Sequence, residues 1–129
     1  MNTYLVKMKS RKNPEKVAYK VGHTKWPNAL KRFRDEHFVV FDIESLGNII
    51  INDTNPTVAR NYCKIVEECF KVMYPKNFML EEHFEYPKGK FDGLSGITEM
   101  FILNEHQTEE QLVKDFQKVR AAAWKALKK

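Results

Sequence analysis

Residues 3–22, TYLVKMKSRKNPEKVAYKVG, decide how this chain is read. TYLVKMK over 3–9 alternates weakly between apolar and polar side chains, as a strand does. RKNPEK is a polar turn built on Asn13-Pro14, and VAYKVG over 17–22 is a second apolar run. Two such runs joined by a short polar loop predict a β-hairpin. After Gly22 comes HTKWPNALKRFRDEHF, where Pro27 suits the first turn of a helix and Ala29, Leu30 and Phe33 form an apolar stripe. FVVFDI over 38–43 predicts a third strand, Ser45–Asn48 a turn, and IIIN over 49–52 a short fourth strand.

The second helix carries the clearest signals. Thr54 or Asn55 caps it, Pro56 sits in its first turn, and Val58, Tyr62, Ile65, Val66, Cys69, Phe70 and Met73 follow helical spacing until Tyr74-Pro75. Residues 77–95 mix aromatics, acids and glycines and read as a loop-rich excursion. ITEMFIL over 97–103 is a short apolar strand or helical turn carrying one acid, Glu99. Thr108-Glu-Glu-Gln111 opens the last helix as a capping box, and Leu112, Phe116, Val119, Ala123 and Leu127 form its stripe to about residue 128. The expected fold is α+β: a small, three- to four-stranded, mainly antiparallel sheet flanked by helices, with a β-β-α-β-α core and a C-terminal helix. Residues 1–129 make a one-domain length, with the core over about 3–103.

Composition narrows the classes. No apolar run reaches the roughly 18 residues of a membrane span, and the first residues lack a signal-peptide pattern. Cys63 and Cys69 lie on one expected helix, pointing to different parts of its surface, so no disulfide is expected between them. A reducing, cytoplasmic setting with no membrane partner is the expectation. The net charge of +5 is uneven: residues 1–37 carry +7, residues 78–110 carry −6, and residues 111–129 carry +5. A basic amino-terminal third with a basic final helix suits a polyanion. Zinc-ligand spacing, a G-x-S-x-G elbow and a phosphate-binding G-x-x-x-x-G-K are all absent from the sequence.

What remains is a constellation around the hairpin: Tyr4, then Lys20-Val21-Gly22-His23-Thr24-Lys25, then Lys31-Arg32-Phe33, and much later Gly96-Ile-Thr-Glu99-Met-Phe-Ile-Leu103. Here the chain resembles the GIY-YIG nuclease superfamily, particularly the phage-associated branch whose second motif reads K-I-G-x-T. The resemblance spans about residues 3–103. Tyr4 is similar to the first-motif Tyr, and Lys20-Val21-Gly22 with Thr24 to the second motif. Arg32 is similar to the helix Arg and Glu99 to the metal-binding Glu. The first motif reads Asn2-Thr3-Tyr4 without Gly-Ile, and Lys20 stands where the family has its second Tyr. Tyr19 is one position away, and strand alternation turns it to the opposite face unless a bulge intervenes.

The resemblance implies a DNA endonuclease hydrolysing phosphodiester bonds. Glu99 would hold one Mg²⁺ or Mn²⁺, and Arg32 would fork onto the phosphate. Tyr4 and Lys20 would position or deprotonate water, with His23 or His37 as alternative bases. Lys7, Lys12, Lys25, Lys31 and Arg34 would contact DNA backbone. Two alternatives keep the residues and drop the cleavage. One is a DNA- or protein-binding module that uses the basic hairpin as a phosphate clamp. The other is an interaction factor, for example a phage-type inhibitor of a host enzyme, with the acidic 78–110 segment as its contact surface. Each residue also has a purely structural role open to it, as a half-buried strand tyrosine or a solvated lysine. Glu99 is the hardest to read that way, being an acid between Ile97 and Phe101.

Overall fold

Tyr4 lies directly opposite Gly22, and the pairing runs without a slip from Asn2↔Thr24 to Lys9↔Val17, so β1 (Asn2–Ser10) and β2 (Val17–Thr24) form the expected antiparallel hairpin. Its turn is closed by local bonds. Lys16 N–H donates to the Asn13 carbonyl, Ser10 N–H to the Lys16 carbonyl, and Asn13 N–H to the Ser10 hydroxyl. In this computed structural model the described residues are 1–51, 54–75, 80–90 and 100–127, without the side chains of Arg32, Leu80 and Leu127.

After the hairpin come a 3-10 turn (Ala29–Arg32), α1 (Asp35–Val40), β3 (Phe41–Ile50), α2 (Pro56–Met73), α3 (Leu80–Phe84), β4 (Met100–Phe101) and α4 (Glu109–Leu127). The described strands form one antiparallel, four-stranded sheet in the order β3-β1-β2-β4. The fold is therefore α+β, with helices on both faces of the sheet. That explains why β1 is buried almost throughout rather than alternating in and out.

Even-numbered positions of the hairpin share one face. Tyr4, Val6, Met8 and Ala18 pack there with Met100 under Ala29, Phe33, Val40, Phe41 and Phe84. On the other face Leu5, Tyr19, Val21 and Phe101 meet Tyr62, Val66 and Phe70 of α2 and Leu112, Phe116 and Val119 of α4. Phe70 joins that second core, with ring centroids 4.9 Å from Tyr74, 5.8 Å from Phe101 and 5.9 Å from Phe116.

Three local expectations change. The helix expected after Gly22 splits. Asn28 Oδ1 accepts from Leu30 N–H to start a 3-10 turn, Phe33 and Arg34 are extended, and α1 follows. The strand expected from residue 38 begins only at Phe41, because Phe38, Val39 and Val40 finish α1. Arg11 holds that helix end from the hairpin. Its side chain donates to the Phe38 carbonyl at 2.6 Å and its N–H to the Val40 carbonyl at 2.9 Å. The turn expected at 45–48 is instead a β-bulge inside β3. Leu5 pairs with Gly47 and Val6 with Ser45, leaving Leu46 as the extra residue. Of the fourth strand expected over 49–52, Ile49 and Ile50 are the end of β3, and residue 52 lies outside the described residues.

The other elements agree with their signals. Asn55 Oδ1 accepts from Thr57 N–H, Pro56 opens α2, and Thr108 Oγ1 accepts from Gln111 N–H at the start of α4. Both cysteines are free. In the 77–95 stretch, α3 occupies 80–84 and turns follow to 90; the rest of it lies outside the described residues. No described helix is long and apolar enough to cross a membrane.

Candidate functional site

Tyr4, Lys20 and Gly22 come together because of two periods. Residues 20 and 22 share a face of β2, and Gly22 is the direct cross-strand partner of Tyr4. A Cβ placed on Gly22 would stand 2.6 Å from the Tyr4 hydroxyl oxygen and 3.2 Å from Lys20 Nζ. Both polar tips therefore converge on the space that the glycine leaves open. The Tyr4 ring is braced edge-on by Phe33 at 5.9 Å, and Lys20 Nζ lies 6.0 Å from the Tyr4 ring centre. Tyr4 is 1% exposed and Lys20 4% exposed. A lysine so deeply buried is rare in a protein that uses it only for solubility.

Arg32 ends the 3-10 turn that packs over this face, and its side chain lies outside the described residues. Glu99 also lies outside them, although it is bonded to Met100, the strand partner of Lys20. Among the described residues no group of three His, Cys, Asp or Glu is placed to hold a metal ion.

The remaining candidates are dispersed. His23 leaves on the opposite face, where Nδ1 is 2.8 Å from Glu67 Oε1 of α2. His37 is buried in α1, with its Nδ1 accepting from Arg34 N–H at 3.1 Å and its ring edge-on to Phe33 at 5.5 Å. That bond makes His37 a cap for α1. Lys7 also points to the opposite face. Its ammonium is 2.8 Å from Glu109 Oε1, the oxygen that accepts from the Tyr19 hydroxyl at 3.0 Å. The bond from Lys7 holds Glu109 below the usual carboxylate range. Burial, followed by Glu109, pushes Tyr19 well above the usual tyrosine value. Tyr19 is thus a tie between β2 and α4 on the far side of the sheet from Lys20. Lys12 donates to the Glu85 carbonyl at 2.9 Å and lies 5.0 Å over the Tyr86 ring. Arg34 is exposed beside α1.

Lys25 and Lys31 share an aromatic neighbour that no motif in the sequence singles out. Trp26, 43% exposed, has Lys25 Nζ 5.1 Å and Lys31 Nζ 5.8 Å from its ring centre. Asn2, although fully buried, donates to the Pro27 carbonyl and lies 3.3 Å from that of Trp26. A tryptophan directly after a lysine and just before a proline was the available signal. It reads equally well as core until its exposure is known.

Compared with known proteins, the chain matches no family model, no curated protein and no solved structure.

Proposed function

We propose that this chain is a metal-dependent DNA endonuclease that hydrolyses phosphodiester bonds at the Tyr4–Lys20 face of the hairpin. The observation that carries this reading is the convergence of the Tyr4 hydroxyl and Lys20 Nζ beside Gly22, in the volume a side chain there would need, both buried in the sheet. A phenol and an ammonium side by side suit a phosphate under attack by water. The hydroxyl orients the water or, as its phenolate, takes the water's proton, and the ammonium offsets the charge that builds on the phosphate oxygens. Arg32, carried by the turn that roofs this face, supplies a forked pair of donors to the same phosphate.

Mg²⁺ or Mn²⁺ is the cofactor of this reading, with Glu99, which lies outside the described residues, as the carboxylate that would hold it. Such ions keep most of their water and need only one or two protein carboxylates, and Glu99 is bonded to the strand partner of Lys20. When bound, the ion supplies charge stabilisation for the leaving oxygen. Every other contribution in this reading comes from Tyr4, Lys20 and Arg32.

A second reading keeps the fold without cleavage, and burial favours it. At 1% and 4% exposure, Tyr4 and Lys20 meet a phosphate only after their cover moves. The chain would then bind nucleic acid through its basic residues, or a protein through the acidic 78–110 segment. The experiment is nicking of supercoiled plasmid with Mg²⁺ or Mn²⁺, wild type beside Glu99→Ala. Cutting lost in the variant is expected. DNA bound but uncut by wild type favours the second reading, and DNA neither bound nor cut removes both DNA readings.

A further inference from the structure

Trp26 belongs to neither core of the protein. It stands just beyond β2 with its ring 43% exposed and two lysine ammoniums within 6 Å of the ring centre, at 5.1 Å and 5.8 Å. Its backbone is pinned on both sides. Trp26 N–H donates to Thr24 Oγ1 at 3.3 Å, and its carbonyl lies 3.3 Å from Asn2 Nδ2. The same Asn2 amide donates to the Pro27 carbonyl and to Asn48 Oδ1, both at 3.0 Å, so one buried side chain joins the loop to β1 and β3. Pro27 restricts the chain immediately after the ring. A large aromatic on a backbone fixed in this way, with its ring open to solvent, offers a face to a flat ligand.

Asn2 and Tyr4 are two residues apart on β1 and share a face, so the side chain that holds the Trp26 loop is the next one along from Tyr4 on that face.

We infer that Trp26, flanked by Lys25 and Lys31, is the stacking platform for an unpaired base of a DNA strand whose neighbouring phosphate reaches the Tyr4–Lys20 face. This rests on the nuclease reading and names its substrate class: DNA with single-stranded or extrahelical nucleotides. The chemistry of the three side chains is complementary to one nucleotide. An exposed ammonium is held only weakly by an aromatic ring, so each lysine can exchange the ring for a phosphate as the base takes the ring face. In a continuous duplex both faces of every base are already stacked, so only an unpaired base has a face to offer.

The test is binding in EDTA, which stops cleavage, of a short single-stranded oligonucleotide and of a blunt duplex of the same sequence. Trp26→Ala should weaken the single strand about tenfold and change the duplex less than about twofold, while Trp26→Phe keeps most of the affinity. Should Trp26→Ala fold poorly, two other measurements decide. Trp124→Phe leaves Trp26 as the sole tryptophan, and its emission should be quenched by the single strand. Lys25→Gln with Lys31→Gln should weaken both DNAs and flatten the salt dependence. Equal loss for single strand and duplex on removing Trp26, no loss for either, or absence of quenching overturns the inference. The two readings fail separately. Trp26-dependent binding without cleavage by wild type sinks the nuclease, and cleavage indifferent to Trp26 sinks the platform.

Discussion

Gly22 and Tyr4 face each other across the hairpin, and the tyrosine occupies the volume that any side chain at position 22 would need. An added Cβ would lie 2.6 Å from the hydroxyl oxygen and 2.8 Å from Cζ, distances that real Cβ atoms do not show. The glycine is thus required by a close approach on the face where Lys20 also ends.

Gly22→Ala is expected to destabilise the protein by about 1–3 kcal/mol, the range for overpacking a filled interior. In a Tyr4→Phe background the penalty should shrink without vanishing, because Cζ remains at 2.8 Å after the oxygen has gone. Urea unfolding of the four proteins measures the coupling. Strictly additive effects would mean that the backbone yields instead of the tyrosine.

Phe70 is the residue that joins α2 to both the sheet and α4, with ring contacts to Phe101, Phe116 and Tyr74. It is fully buried, and truncation would leave a cavity among aromatic rings too large to collapse onto it. Phe70→Ala should cost about 3–5 kcal/mol by denaturant unfolding. Val72→Ala, two residues along on the exposed side of the same helix, should cost less than about 0.5 kcal/mol.

Glu109 binds Lys7 and Tyr19 through one oxygen, and its carboxyl is held below the ordinary value of 4.5, first by the bond from Lys7. A carboxyl whose pKa falls on folding stabilises the native state above its unfolded pKa, and that contribution is lost as the pH drops through the lower, folded value. Glu109→Gln should therefore cost up to about 1 kcal/mol at neutral pH, since the pair is partly exposed. The gap to wild type should close below about pH 4. Unfolding curves at neutral and acidic pH check this, and a gap that persists in acid would put the effect in packing instead of charge.

The hairpin was legible because its signals are local: Asn13-Pro14 between two apolar runs needs nothing from the rest of the chain. The same holds for Asn55-Pro56 and Thr108, whose capping bonds close within three residues. What could not be read depends on distant partners. β3 starts at Phe41 because Arg11, on the other side of the hairpin, bonds Phe38 and Val40 at the end of α1. The bulge at Leu46 arises from pairing with β1 and has no glycine or proline at the bulged residue to announce it. Of the candidate site, the meeting of Tyr4, Lys20 and Gly22 follows from strand alternation once the register is known. The loss of Lys7 to Glu109 does not, since its partner lies at the far end of the chain.

Tyr19 and Lys20 offer the sharpest separation of stability from function, because one peptide bond divides two faces of the sheet. Tyr19 stacks on Phe101 at 5.9 Å and donates to Glu109, so its hydroxyl serves the α4 interface. Lys20 ends beside the Tyr4 hydroxyl on the other face. Tyr19→Phe removes one hydrogen bond and keeps the ring, so it should cost about 0.5–1.5 kcal/mol and leave plasmid nicking unchanged once the protein is folded. Lys20→Met keeps the length and the apolar stem while removing the ammonium. It should retain the circular dichroism spectrum and reduce nicking by roughly 100-fold or more, the scale for losing a group that acts on the transition state. Unaltered nicking in Lys20→Met would put the chemistry elsewhere than this face. Equal loss of nicking in both variants, with both folded, would mean that the two faces are not independent.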